Sequence, residues 1–255
     1  ILNIYAYEKG EINFYLDSKN KNELIAYLPE ERGLYKNVSI MDMLLYFSRL
    51  KNYPDQKAKK NILKYLKKFD LEGKEKSKIE ELSKGMAQKV QFIATLIHEP
   101  KLLILDEPLS GLDPISQELF KKEIKELSKK GTTIFFSSHQ INLVEELCER
   151  VYLLNEGKFI IEGNIEDIKK KYGGYSCEIR GNNIDKIKIK ELSKYIDHLE
   201  KIKENELKIY LKAKITQEEI IKHFLKEEFE EFSIKRISLH EIYIKEIEKT
   251  KKNNI

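Results

Sequence analysis

Hydrophobic residues recur at two periods along this chain of 255 residues. Spacings of three and four place apolar side chains on one face of a helix, whereas alternation or a short continuous apolar run is typical of a strand. The helical spacing predicts helices over residues 39–50, 56–69, 83–97, 116–129, 141–148, 217–225 and 239–247. The strand patterns predict strands over residues 12–16, 24–28, 102–105, 132–136, 151–155, 159–162, 175–180, 198–202 and 207–211.

The strand predicted at 102–105 is a continuous apolar run, which suits a strand buried on both faces of a parallel sheet, and 132–136 is predicted to be a second buried strand. Because they alternate with helices, we predict an α/β fold with right-handed crossovers over residues 1–164. The chain then becomes richer in Lys, Glu and Ile, and Gly173-Gly174 is typical of a linker region. The predicted organisation after residue 164 is a linker at 165–172, a small α+β domain at 173–249 and a frayed tail at 250–255.

Composition and charge exclude several function classes. Lys and Arg number 47 against 43 Asp and Glu, a formal charge of +4, and the two signs are interleaved along the predicted helices, so we expect no nucleic-acid partner. No apolar run approaches the roughly 18 residues that span a bilayer, so membrane association would require a partner protein. The two cysteines, Cys148 and Cys177, lack metal-ligand spacing and are interpreted as reduced thiols of a cytosolic protein.

The segment LLILDEP at residues 102–108 ends a predicted buried strand with two adjacent carboxylates, Asp106 and Glu107. Unpaired charges next to a buried strand cost free energy of folding, so two adjacent carboxylates at this position suggest a function. Asp106 could hold Mg²⁺ through water while Glu107 takes a proton from a water that attacks a phosphate. The alternative is that both residues begin a turn closed by Pro108.

Three further segments follow or precede this pair in fixed order. LSKGM at 82–86 opens a predicted helix, so Ser83 and the amides around Gly85 could point at an anion, although a serine cap is also commonplace there. SGLD at 110–113 follows the carboxylates. His139 ends FFSSH after the second apolar strand, and in isolation it would be a helix cap or a satisfied polar residue.

In this order the segments closely resemble the ABC ATPase superfamily. The resemblance implies ATP and Mg²⁺ as ligands, with Glu107 activating water, Asp106 supporting Mg²⁺, His139 sensing the γ-phosphate and Asp113 communicating across a dimer. It also implies the family's α/β fold, in which a mixed sheet, incomplete in this chain, carries a helical subdomain. The small α+β C-terminal domain would follow. The signature residues, expected to contact ATP bound to the opposite subunit, would be Ser83, Lys84, Gly85 and Met86.

The stretch LPEERGLY at residues 28–35 falls where the family places its Q-loop, with Glu30 where Gln is usual. A similar stretch occurs in an exporter branch that includes sodium-exporter-like ATP-binding subunits, so Glu30 is expected near nucleotide and metal. Lys84 replaces the commoner Gly and matches that branch. Met86 stands where Gln or Asn is expected and would lack their hydrogen-bonding amide at the nucleotide-facing turn, and core packing is the alternative role for Met86.

The resemblance implies an ATP-hydrolysing subunit of an ABC exporter that acts through a separate membrane permease. It would form a homodimer or heterodimer through its ATPase domains and lie in the cytoplasm, peripheral to the cell membrane. The helices at 39–69 would face the permease. The transported substrate cannot be predicted, because selectivity lies in the permease.

The sequence contains no G-x-x-x-x-G-K-[ST] phosphate cradle, and it begins at Ile1 in an apolar segment. We interpret this as a lost front end and expect the chain by itself to hydrolyse no ATP. One alternative is an inactive remnant or dimerisation partner. The other is an ABC-type ATPase that works outside transport, for which the short two-helix insertion between Glu30 and Ser83 offers little support.

Overall fold

The computed structural model describes residues 2, 8–14, 21–31, 33–172, 174–182, 193–212, 215–225 and 228–253. The chain divides into two compact units, Ile1–His139 and Gln140–Ile255. This division lies earlier than the predicted boundary at residue 164. None of the helices in the described ranges is long and apolar enough to cross a bilayer.

The first unit contains a parallel sheet of three strands in the order β1-β2-β3. The strands are β1 (Ile25–Leu28), β2 (Leu102–Asp106) and β3 (Thr133–Ser137). In the register, Leu28 lies beside Leu105, and Asp106 lies beside Ser137. The carboxyl ends of all three strands therefore meet at one edge, which is where α/β sheets place their ligands.

Helices connect these strands and form the core of the first unit. They are α1 (Lys21–Leu24), α2 (Ile40–Leu50), α3 (Asp55–Lys68), a 3₁₀ turn (Ile79–Glu81), α4 (Lys84–Leu96) and α5 (Pro114–Lys129). Phe69, Phe92 and Phe120 are fully buried, and the rings of Phe92 and Phe120 stack with centroids 4.3 Å apart. This aromatic cluster holds α4 and α5 together, because each contributes one stacked ring.

The predictions that β2 is buried on both faces and that β3 is a second buried strand are wrong for the described part of the sheet. Leu103 and Leu105 are fully buried, but the alternate residues of β2 are half-buried. In β3, Phe135 is 52% exposed. Side chains alternate across a strand, so the described helices cover one face more completely than the other. Of the strand predicted at 12–16, Ile12 and Phe14 lie in irregular structure, and Leu16 lies outside the described residues.

The second unit begins with α6 (Ile141–Leu147) and a hairpin of β4 (Arg150–Asn155) and β5 (Lys158–Asn164). The hairpin turns at Glu156-Gly157, both with positive φ (49° and 75°), as a two-residue type I′ turn requires. The helix α7 (Ile165–Tyr172) follows and packs against β5. The predicted linker at 165–172 is therefore wrong, because its Ile165 and Ile168 are buried on one helical face.

A four-stranded antiparallel sheet forms the rest of the second unit, in the order β7-β8-β6-β9. Its elements are β6 (Tyr175–Arg180), β7 (Ile196–Lys203), β8 (Glu206–Leu211), α8 (Gln217–Phe224), β9 (Glu231–Arg236) and α9 (Leu239–Asn253). Strand β9 was missed by the sequence pattern. Because α9 continues to Asn253, the predicted frayed tail is helical over most of its length, and its last two residues lie outside the described ranges.

Gly174 is close-packed and does not belong to an open linker. A Cβ atom added there would lie 1.8 Å from the carbonyl oxygen of Leu211, at the end of β8. A residue without a side chain is therefore needed for the backbone to approach this strand. The Cys177 thiol lies in the core of the same sheet, and burial raises its pKa to about 12.

Candidate active site

The predicted catalytic residues converge at the carboxyl edge of the parallel sheet. Asp106 ends β2, Glu107 is the next residue, and His139 lies two residues after β3. Since Asp106 and Ser137 are register partners, the two strand ends bring Glu107 and His139 side by side. Residues from separate sequence motifs are thus neighbours in the fold.

Asp106 is held by two hydroxyl groups. Ser137 Oγ donates to its Oδ1 at 2.5 Å, and the Tyr27 hydroxyl donates to its Oδ2 at 3.4 Å. Burial, together with the charge and hydrogen bond of Asp106, raises the pKa of Tyr27. These contacts fix the direction of the carboxylate at the sheet edge.

Asp106 fits the chemistry of a magnesium ligand bound with substrate. Among the described residues, no group of three or more His, Cys, Asp or Glu side chains could hold a metal by itself. Mg²⁺ bound with a nucleotide ordinarily uses one or two carboxylates and completes its coordination with phosphate oxygens and water. A single oriented carboxylate at this edge meets that requirement.

Glu107 makes direct hydrogen bonds to the segment after β3. The backbone N–H of His139 donates to its Oε1 at 2.6 Å, and His139 Nδ1 lies 2.7 Å from the same oxygen. Ser138 Oγ donates to Oε2 at 3.3 Å. Glu107 adopts a left-handed backbone conformation, φ 46°, which is uncommon without glycine and frequent at functional sites. Its side chain is 16% exposed, whereas that of His139 is 72% exposed.

The signature segment forms the N-terminus of α4. Ser83 is the N-cap, and its hydroxyl accepts a hydrogen bond from the Met86 N–H at 3.3 Å. A Cβ added at Gly85 would meet no atom within 4 Å, so the backbone there is open to approach. Met86 is half-buried, so core packing accounts for only part of its side chain. The alternative role considered for Ser83, that of a helix N-cap, is therefore confirmed.

Lys84 extends from this turn to the loop after β2. A Cβ on Gly111 would lie 3.3 Å from Lys84 Nζ, and Gly111 has a positive φ of 69°. Two residues later, Asp113 caps α5 by accepting hydrogen bonds from the hydroxyl and backbone N–H of Ser116 at 2.6 and 3.0 Å. These bonds hold the pKa of Asp113 below its usual value.

Glu30 lies two residues beyond the end of β1 and its side chain is exposed. Since β1 and β2 are parallel neighbours, Glu30 lies at the same sheet edge as Asp106 and Glu107. Within the described part of the chain, no hydrogen bond or ion pair joins Glu30 to the other candidate residues. The structure thus brings together Asp106, Glu107 and His139, and places Glu30 at their edge of the sheet.

Sequence reasoning missed four residues that shape this site. Tyr27 and Ser137 hold Asp106, while Gln88 and Gln91 attach α4 to neighbouring loops. The two glutamines could have been recognised from the sequence, because they are polar residues on the buried face of a helix whose other residues on that face are mostly apolar. No signal in the sequence identified Tyr27, because a tyrosine in a short strand is ordinary.

The chain is similar to known ATP-binding proteins along most of its length. Residues 8–145 match the family model described as "AAA domain, putative AbiEii toxin, Type IV TA system". Residues 163–247 match the C-terminal domain of "ATP-binding protein DrrA1-3-like". Two different family models thus cover the α/β portion and the C-terminal sheet.

Two relatives and one solved structure carry the comparison further. The uncharacterised ABC transporter ATP-binding protein YhaQ of Bacillus subtilis is 36% identical over 92% of this chain and 77% of YhaQ. The linearmycin resistance ATP-binding protein LnrL of the same organism is 31% identical over 62% of this chain and 51% of LnrL. A structure titled as the ATP-binding subunit of an ABC transporter aligns with a TM-score of 0.56 at 29% identity, over 59% of this chain and 62% of that one.

Proposed function

The chain belongs to the family of ABC transporter ATP-binding proteins, and on that premise we propose that it is the ATP-hydrolysing subunit of an exporter whose permease is a separate chain. The observation that carries the proposal is the contact of Glu107 with His139 beside Asp106. A general base must lie within hydrogen-bond reach of the water it deprotonates and be oriented by a neighbour. Glu107 meets the second condition, and its partly exposed carboxylate supports the first.

Asp106 and Glu107 would have different roles in the reaction. Asp106 would hold Mg²⁺, which when bound with ATP neutralises charge on the β- and γ-phosphates. Glu107 would accept the proton of the attacking water. In the structure, Glu107 Oε1 is occupied by the backbone N–H and the ring of His139. Because the His139 side chain is 72% exposed, its ring could turn toward the γ-phosphate, and Oε1 would then keep the backbone N–H of His139 and have room to accept from the water.

The N-terminus of α4 would bind ATP held by the opposite subunit of a dimer. Its amides carry the positive end of the helix dipole, and the open backbone at Gly85 would let a phosphate approach. Lys84 would add a positive charge where family members commonly have glycine. Asp113, whose oxygens are held by Ser116, would contribute to the dimer contact mainly by fixing the start of α5.

A groove in the first unit would receive the permease. It has a volume of about 420 Å³ and is lined by Tyr35, Val38, Asp42, Met43 and Tyr46. Tyr35 is 61% exposed, although its ring meets that of Tyr46 edge to face at 6.1 Å. Exposed aromatic side chains around an apolar groove are the kind of surface that binds an amphipathic helix. An intracellular helix of the permease is the proposed occupant, which would place the subunit on the cytoplasmic side of the membrane.

Glu107→Gln tests the assigned chemistry, because it keeps the shape and removes the base. We expect the protein, assembled with its permease, to retain ATP binding while the hydrolysis rate falls by a factor of about 10²–10⁴. Glu149→Gln, at an exposed position outside the site, is the matched control and should hydrolyse at the wild-type rate. An unchanged hydrolysis rate in Glu107→Gln would contradict the role of Glu107. A wild-type hydrolysis rate that is the same with and without the permease would favour an ATPase that works outside transport.

A further inference from the structure

One face of α4 carries a polar stripe of three residues, Lys84, Gln88 and Gln91. Spacings of four and three put these side chains one above another along the helix. Gln88 and Gln91 are 9% and 7% exposed, among the most buried polar residues of the described chain. Buried amides are retained where they have hydrogen-bond partners, so the identity of these partners matters.

Gln91 holds the loop that follows β1. Its Nε2 donates to the carbonyl oxygens of Glu31 at 3.1 Å and Pro29 at 3.4 Å. These two carbonyls flank Glu30, whose own side chain is exposed. The backbone of Glu30 is therefore attached to α4 on both sides, while its carboxylate remains available at the sheet edge.

Gln88 holds the loop that follows β2 in the same manner. Its Nε2 donates to the carbonyl oxygen of Pro108 at 3.0 Å, and Pro108 directly follows Glu107. At the start of the stripe, Lys84 lies against Gly111 of the same loop. One helix face thus contacts both loops that carry candidate residues of the sheet edge.

We propose that Gln91 is a positioning residue for Glu30, and that Gln88 has the same role for the turn after Glu107. The argument rests on the proposed function, because it assumes that these loops face the nucleotide. Helix α4 packs against β1, α2 and α3, so it is a firm base for both attachments. A leucine at either position would fill the space without fixing a carbonyl. The stripe therefore sets the distance between the signature turn at Ser83 and both loops.

Hydrogen exchange in the 255-residue chain tests the attachment without requiring ATP. Gln91→Leu should raise amide exchange over residues 28–35 about fivefold, because the loop opens more often once two hydrogen bonds are lost. Gln88→Leu should instead raise exchange over residues 107–112. Thr95→Val is the matched control: Thr95 is buried in α4, but its hydroxyl donates to Phe92 O within the same helix. Unchanged exchange in both glutamine variants, or an equal rise in Thr95→Val, would overturn the proposal.

A kinetic experiment on the protein assembled with its permease separates positioning from general stability. Gln91→Leu should lower kcat about tenfold while KM for ATP changes by less than about twofold, since Glu30 would still be present but misplaced. In a Glu30→Ala background, the same substitution should have no further effect on kcat. Additive losses would contradict the proposal. If the wild-type complex lacks ATPase activity, the proposed function fails, and the exchange experiment decides the positioning role.

Discussion

His98 is a buried histidine whose protonation should destabilise the first unit as the pH falls. It follows α4, is 6% exposed, and neither ring nitrogen has a hydrogen-bond partner among the described residues. Burial and the nearby ammonium of Lys51 lower the pKa of His98 to about 4. An imidazolium at this position would be shielded from solvent and would lie near the Lys51 ammonium, and the backbone of Ile25 offsets these effects only in part.

The size of the effect follows from the two pKa values. In the unfolded chain, histidine has a pKa of about 6.5, so the unfolded state takes up a proton first as the pH falls. Its folded pKa is depressed, so the stability is fully present above about pH 6.5 and is lost as the pH falls from there toward about 4. Between about pH 7.5 and about pH 5, linkage gives a loss of about 2 kcal/mol from this one group.

Urea denaturation of wild type and His98→Leu at these two pH values tests the reasoning. The variant should lose about 2 kcal/mol less stability than wild type across the interval, whatever its absolute stability. His240→Gln, which changes an exposed histidine, should lose as much as wild type. If His98→Leu and wild type lose the same amount, His98 is not a buried neutral group and the argument is wrong.

Two further substitutions test packing around the site. Lys68 pairs with Glu123, which is 1% exposed, and with Glu126 at 2.7 Å. Lys68→Met should cost about 3 kcal/mol in urea denaturation, because it leaves a buried carboxylate unpaired, and adding Glu123→Leu should recover most of it; no recovery would contradict the pairing. Gly111→Ala should cost about 1 kcal/mol, since φ is 69° and Lys84 must move. Equal melting temperatures for Gly111→Ala and wild type would refute that cost.

Much of the fold could be predicted because its signals are local. The helices α2 to α5 begin and end within two residues of the predicted bounds, and Ser39, the first residue of the helix predicted at 39–50, is the N-cap of α2. The hairpin turn at Glu156-Gly157 falls between the strands predicted at 151–155 and 159–162, where a two-residue turn needs positive φ. Helix capping, turn chemistry and apolar spacing act over a few residues, so they can be recognised in the sequence.

The errors arose where burial depends on distant segments. Residues 165–172 have the charge of a linker, but Ile165 and Ile168 pack and make it a helix. Strand β9 was missed because its alternation of Phe232 and Ile234 is short, and pairing with β6 stabilises it. The exposure of Phe135 could not be predicted, because a hydrophobic run does not reveal what covers each face.

By itself, the sequence determined the family resemblance, the order of the motifs and the residues that supply carboxylate and imidazole groups. Tertiary structure decided which of those groups meet: the parallel pairing of β2 and β3 brings His139 to Glu107, and Tyr27 and Ser137 to Asp106. It also decided that two glutamines of α4 hold both neighbouring loops. The reason is physical, because spacing along a chain fixes contacts within one helix or turn, whereas contacts between strands depend on register and on what packs between them.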